Sequence, residues 1–198
     1  MKNLITYGLI ALAVGGYFLY NQSSDSGYTE DDIDLNAVLD VTIDTIYTFQ
    51  ESLDAQDPDA LNPDDTFVEF SEVLQDNYNA ATPALHTAPI AVAPRTDASL
   101  LAYEDANGNN EQEESEPSLF LVEIDGENSR VIASSRSGAV NDHHFSGTGL
   151  LAGYLIGSML NRQRAAGVNT SSLANKKPVT ARAAAKARAG SGSHSSGK

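Results

Sequence analysis

The sequence predicts an α+β protein: an N-terminal membrane helix, an acidic body with a helical hairpin and a small antiparallel sheet, a second short glycine-spaced membrane helix, and a disordered basic tail. Three observations predict it: charges sorted by position, two charge-free apolar runs, and a change of hydrophobic period between them. The chain has 198 residues, enough for one ordinary domain with appendages. Its 12 basic and 27 acidic side chains give a net charge of -15, and no carboxylate lies before Asp25 or after Asp142. Residues 1–24 therefore carry +1, residues 25–144 carry -24 and residues 145–198 carry +8. A mixed surface is the ordinary pattern of a soluble domain, and this is an acidic body with a basic tail. With zero cysteines there is no disulfide framework, thiolate metal site, cysteine nucleophile or lipidated cysteine.

Residues 1–24 form the predicted anchor. Leu4 to Tyr20 is free of charge and follows Lys2, and 17 residues as a helix cover roughly 25 Å against an apolar layer of ~30 Å. A cleaved secretory signal competes with a retained anchor: Ala13 and Gly15 are the small residues a peptidase wants, but Tyr17, Phe18, Leu19 and Tyr20 follow and would leave an apolar end exposed. A buried helix is the third alternative. Lys2 on one flank and acids on the other orient an anchor with its amino terminus in the cytoplasm.

The acidic hairpin is predicted over 25–81. Leu35, Val38, Leu39, Ile46, Phe49 and Leu53 fall on one helical stripe behind Asp31, Asp32 and Asp34, although Leu39, Val41 and Ile43 alternate as a strand would. Asp65 is the expected cap of a second helix that aligns Phe67, Phe70, Leu74 and Tyr78. Pro83, Pro89 and Pro94 predict an extended linker over 82–97. A small β region is expected over 98–144, with strands at Ser99–Tyr103, Ser118–Ile124 and Arg130–Ser134 and a turn at Asp125-Gly126.

Asp105, Asn107, Asn109, Glu111 and Glu116 have the spacing of oxygen ligands in a calcium loop, with Glu113 between them. Asn110 stands where such a loop wants Gly, and a solvated loop is the competing reading. Calcium is the one cofactor this pattern suggests. His143-His144 lacks a third ligand in sequence, and Gly147-Thr148-Gly149 lacks the acid that a dinucleotide site needs about 20 positions on.

Phe145 to Leu160 is predicted to be a helix with Gly149, Gly153 and Gly157 along one edge, inserted in a membrane or buried at an oligomer interface; a flexible loop is the third alternative. Residues 161–198 are expected to be disordered. Arg162, Arg164, Lys176, Lys177, Arg182, Lys186 and Arg188 could bind a polyanion there, either anionic lipid or nucleic acid. Two crossings would place the acidic body outside and the basic tail in the cytoplasm.

Leu151-Ala152-Gly153-Tyr154, then Gly157 and Leu160 and a Ser, Ala and Gly-rich basic tail, resemble the YgiB-like family of uncharacterised bacterial envelope proteins. The resemblance covers about 50 C-terminal residues and implies an envelope setting with no catalytic residue; the chain lacks the lipid-bearing cysteine of such proteins. The expected function is that of a non-enzymatic, membrane-anchored envelope or scaffold protein that self-associates through the glycine edge. Its partners would be the lipid bilayer, other membrane helices and further copies of itself. The alternative is a structural membrane protein of a virion whose tail contacts packaged nucleic acid. A hydrolase using paired carboxylates is a third class.

Overall fold

The computed structural model describes residues 33–145 and 153–190, the side chains of 188–190 excepted. The predicted anchor at 1–24 and the predicted packing residue Gly149 lie outside the described residues. Helix α1 runs Leu35–Asp54, capped by the Asp34 carboxylate, which accepts the Asn36 N–H at 2.9 Å. Its predicted apolar stripe is buried. Leu39 and Ile43, which also fitted a strand, sit one helical turn apart on that stripe. Helix α2 runs Pro63–Ala80. Its cap is Asn62 rather than Asp65, because Pro63 has no N–H to lose at the first helical position and the Asn62 amide oxygen takes the N–H groups of Asp64 and Asp65. Asp64 and Asp65 then sit in the first turn, where the helix dipole favours them.

Five strands form an antiparallel meander in chain order: β1 (Ile90–Pro94), β2 (Leu100–Glu104), β3 (Ser118–Asp125), β4 (Arg130–Ser135) and β5 (Val140–His144). The expected linker at 82–97 thus contains a strand. Its prolines are tolerated because β1 is an edge with no outer ladder to lose. That edge is closed by side chains of α2. Gln75 Oε1 accepts the Val92 N–H at 3.0 Å, Asn79 Oδ1 accepts the Ile90 N–H at 2.9 Å, and the Asn79 amide donates to the Ile90 carbonyl at 2.8 Å. These bonds copy a strand neighbour and remove the template that an open edge would present.

Pairing of Val92 with Ala102, Leu100 with Val122, Val122 with Ala133 and Ile124 with Val131 puts these residues on one face. They form the core with α1 over β4 and β5, α2 over β1, and a third helix against both. Phe49 meets Phe70 at 5.4 Å between ring centres, and Tyr78 meets Phe120 edge-on at 5.3 Å. The buried Tyr78 hydroxyl is shared with Thr42 at 2.6 Å, and burial pushes its pKa well up.

The glycine-spaced segment is the main correction. Helix α3 covers only Tyr154–Ala165, 12 residues or roughly 18 Å, and its Leu155, Ile156 and Met159 are buried in the protein's own core. No helix among the described residues is long and apolar enough to cross a membrane. The expected return crossing, the sorting of charge across a bilayer, and the membrane localisation built on them are therefore overturned. In the described part of the run, Leu155, Ile156 and Met159 are apolar because they face a protein interior rather than lipid. The tail is not disordered through 190 either: α4 (Thr170–Ala174) and α5 (Ala181–Gly190) follow.

Candidate functional site

The far face of the sheet carries Glu123, Asp125, Arg130, Ile132 and Asp142, paired across β3, β4 and β5. Over it lies the arm from Val168 to Val179. Arg130, one of three cations between residues 25 and 144, is 5 % exposed at the centre. Its Nε donates to Asp125 at 2.9 Å, Nη1 to Asp142, and Nη2 to the Leu173 carbonyl at 2.9 Å and the Ala174 carbonyl at 3.4 Å. The guanidinium thus joins two strands to the C-terminal carbonyls of α4, the end where a cation is favoured. Leu173 is buried, and Ile132 is fully buried on the same face. Further tethers are Lys176 to Glu123, Thr170 to Glu127 at 2.7 Å, and a two-way backbone bridge between Val140 and Val179.

Burial pushes the Asp125 carboxyl up, but bonds from Asn128 and Arg130 outweigh it and hold the group below its usual value of 3.8. Burial works against the Arg130 charge too, and the bonds to Asp142 and Asp125 more than offset it, raising its pKa. A carboxyl with a depressed folded pKa stabilises above its unfolded value, and that contribution disappears as pH falls through the folded one. Acidification below about pH 4 is therefore expected to loosen the arm before the helical core. Amide exchange at Leu173–Val179 rising at pH 3 relative to Phe70 and Leu74 would show it; uniform protection down to pH 3 would refute it.

The calcium-spaced residues come together in one loop between β2 and β3, held from within. Asp105 Oδ1 accepts the N–H groups of Gly108 (2.8 Å) and Asn109 (3.1 Å), and Oδ2 that of Asn110 (3.1 Å). Asn110 occupies the left-handed conformation with φ +58°. Glu116 accepts the N–H groups of Ala106 and Glu113, and Glu113 takes the side-chain amides of Asn107 and Asn109, which hold its carboxyl below the usual value. Glu111 is exposed, with only its backbone N–H bonded, to Asn109. Among the described residues no group of three His, Cys, Asp or Glu side chains is placed to hold a metal ion.

The glycine-edge residues part company. Gly153 precedes the first turn of α3, against Gln50 of α1, whose Oε1 accepts the buried Leu155 N–H at 2.9 Å. A Cβ on Gly157 would meet none of the described residues within 4 Å. It opens on a groove of about 560 Å³ between the head of α2 and α3, bordered by Asp64, Tyr154, Asn161, Arg162 and Ala165. Arg162 pairs with Asp64 and stacks over Phe67 at 4.9 Å.

The basic residues expected to bind a polyanion are not one site. Arg162 and Lys176 are engaged with Asp64 and Glu123, and Arg164 bonds Asn161 on the exposed side of α3. Lys177, Arg182 and Lys186 are not paired with a carboxylate among the described residues; Arg182 and Lys186 are exposed on α5. The sequence reading missed Arg130, Gln50, Gln75 and Asn79. Arg130 had a signal, a lone cation opening an apolar strand within a strongly acidic stretch, and Gln50 had one too, an amide within a buried helical stripe. Compared with family models, with curated proteins and with solved structures, the chain gives no match, so the YgiB-like resemblance rests on the residues quoted for it alone.

Proposed function

We propose that this chain is a non-enzymatic scaffold domain that self-associates through the open edge of α3 at Gly157. The observation that carries the reading is the contrast between two glycines that line the same groove one turn apart: a Cβ at Gly153 would run into Gln50, whereas one at Gly157 would meet none of the described residues. A glycine in a helix interior costs about 1 kcal/mol relative to Ala, and a contact with a second copy would offset that cost at Gly157. The rims suit a second copy related by a two-fold axis, because exposed Asp64 and Asp65 on one side and Arg164 on the other make the patch complementary to itself. The buried polar groups support a structural role for the rest. Asp105, Glu116, Asp125 and Arg130 each have protein partners that hold loops or the arm in place.

Gly157→Leu tests this cleanly, because the side chain has room and Leu is the better helix former. Measured by sedimentation at about 0.5 M salt, where surface ion pairs are screened, the wild-type chain should associate and the variant should be monomeric with an unchanged circular dichroism spectrum. Identical masses for the two would remove the reading.

A further inference from the structure

We infer that the basic helix α5 of one copy docks on the acidic outer face of α2 in another, joining copies head to tail. Helix α5 follows the arm with Arg182 and Lys186 one turn apart and exposed, beside the exposed Ala183 and Ala187. From residue 170 to 190 the chain holds five basic residues and no acid. On α2, the face turned away from the core carries Asp65, Glu69, Glu72 and Asp76 at helical spacing, and Asp65, Glu72 and Asp76 are exposed. Val68, one turn before Glu72, is 47 % exposed, an apolar spot for the alanines of a docked helix. Glu72 and Asp76 repeat the four-residue spacing of Arg182 and Lys186, so two opposed pairs form along one turn of each helix.

The contact has to be made in trans. Helix α2 lies over β1, whereas the Val140–Val179 bridge sets the start of α5 at β5. These are the opposite edges of the sheet, about 19 Å apart at ~4.8 Å per strand step. Two different surfaces at opposite ends make a heterologous contact, which extends into open chains instead of closing as a dimer. A second copy fits α5 better than nucleic acid does. Its exposed Glu72 and Asp76 offer carboxylates at the spacing of Arg182 and Lys186, and no aromatic residue follows Tyr154 to stack on bases.

The test uses the full chain and two double variants, Arg182→Glu with Lys186→Glu and Glu72→Lys with Asp76→Lys, all at exposed positions. In sedimentation velocity at about 20 mM salt the wild-type chain should form species larger than the α3 contact gives, weakening at least tenfold at about 0.5 M as charges are screened. Each double variant alone should lose those species. An equimolar mixture of the two should regain them, since the reversed α5 of one then faces the reversed α2 of the other; a merely structural role for these residues predicts no such rescue. The Gly157→Leu variant should retain the salt-sensitive species, which separates this contact from the α3 groove. No recovery in the mixture overturns the inference, as does a wild-type chain that stays unassociated at low salt while binding a 20-base-pair DNA duplex through Arg182 and Lys186.

Discussion

Arg130→Ala is expected to destabilise the protein by about 3–5 kcal/mol, enough to lower the melting temperature by roughly 10 °C in a domain of this size. The cost comes from what remains. Asp125 is 1 % exposed and the Asp142 side chain 12 %, so two carboxylates would stay beneath the arm without their cation. The Leu173 and Ala174 carbonyls would lose their donor, and the arm its main attachment to β4. Differential scanning calorimetry measures the total. Amide exchange should place the largest loss of protection in residues 170–179, with the α1–α2 hairpin least affected. The triple variant Arg130→Met, Asp125→Asn, Asp142→Asn removes all three charges together and should recover most of the loss, because a buried ion triad is costly to break but not costly to replace. If the single and triple variants melt at the same temperature, the guanidinium is not what holds the arm.

The parts of this fold that were legible from sequence are those in which side-chain chemistry repeats at a regular period. The stripe through Leu35, Val38, Ile46, Phe49 and Leu53 marks α1, and the alternation around Phe120, Val122 and Ile124 marks β3, because each period follows from backbone geometry alone. The edge strands were hidden for opposite reasons. In β1, Pro89 and Pro94 bracket the strand, and its outer hydrogen bonds are supplied by Gln75 and Asn79, side chains that look like ordinary helix surface. In β5, Val-Asn-Asp-His-His has no apolar alternation, and its pairing to β4 makes it a strand. The α3 segment was misread because a helix facing a protein core and one facing lipid bear the same residues over ten or so positions, and length decides between them. The arm latch was invisible for a related reason. Asp125, Arg130, Asp142 and the Leu173 carbonyl are far apart in sequence, and no period connects them.

Gly153→Ala is expected to destabilise by about 1–3 kcal/mol although it adds one methyl group, and the opposite sign is expected four residues later. At Gly153 the backbone is ordinary extended chain, φ -68° and ψ 154°, so no conformational strain is involved. The new Cβ would lie 2.6 Å from Cδ and Oε1 of Gln50 and 3.0 Å from its Cγ. Gln50 could swing away, but its Oε1 is the acceptor for the buried Leu155 N–H and its amide donates to Asp54 at 2.6 Å. Moving it leaves an N–H in the first turn of α3 without an acceptor, and the helix loses its attachment to α1. Chemical denaturation measures the cost, and a double-mutant cycle assigns it: in a Gln50→Ala background the clash is gone, so Gly153→Ala should there cost less than about 0.5 kcal/mol. Equal costs in both backgrounds would place the constraint elsewhere. At Gly157, with none of the described residues within 4 Å, Ala should stabilise the monomer by up to about 1 kcal/mol through helix propensity. One glycine is thus required by the fold, and the other is a cost to the helix that carries it.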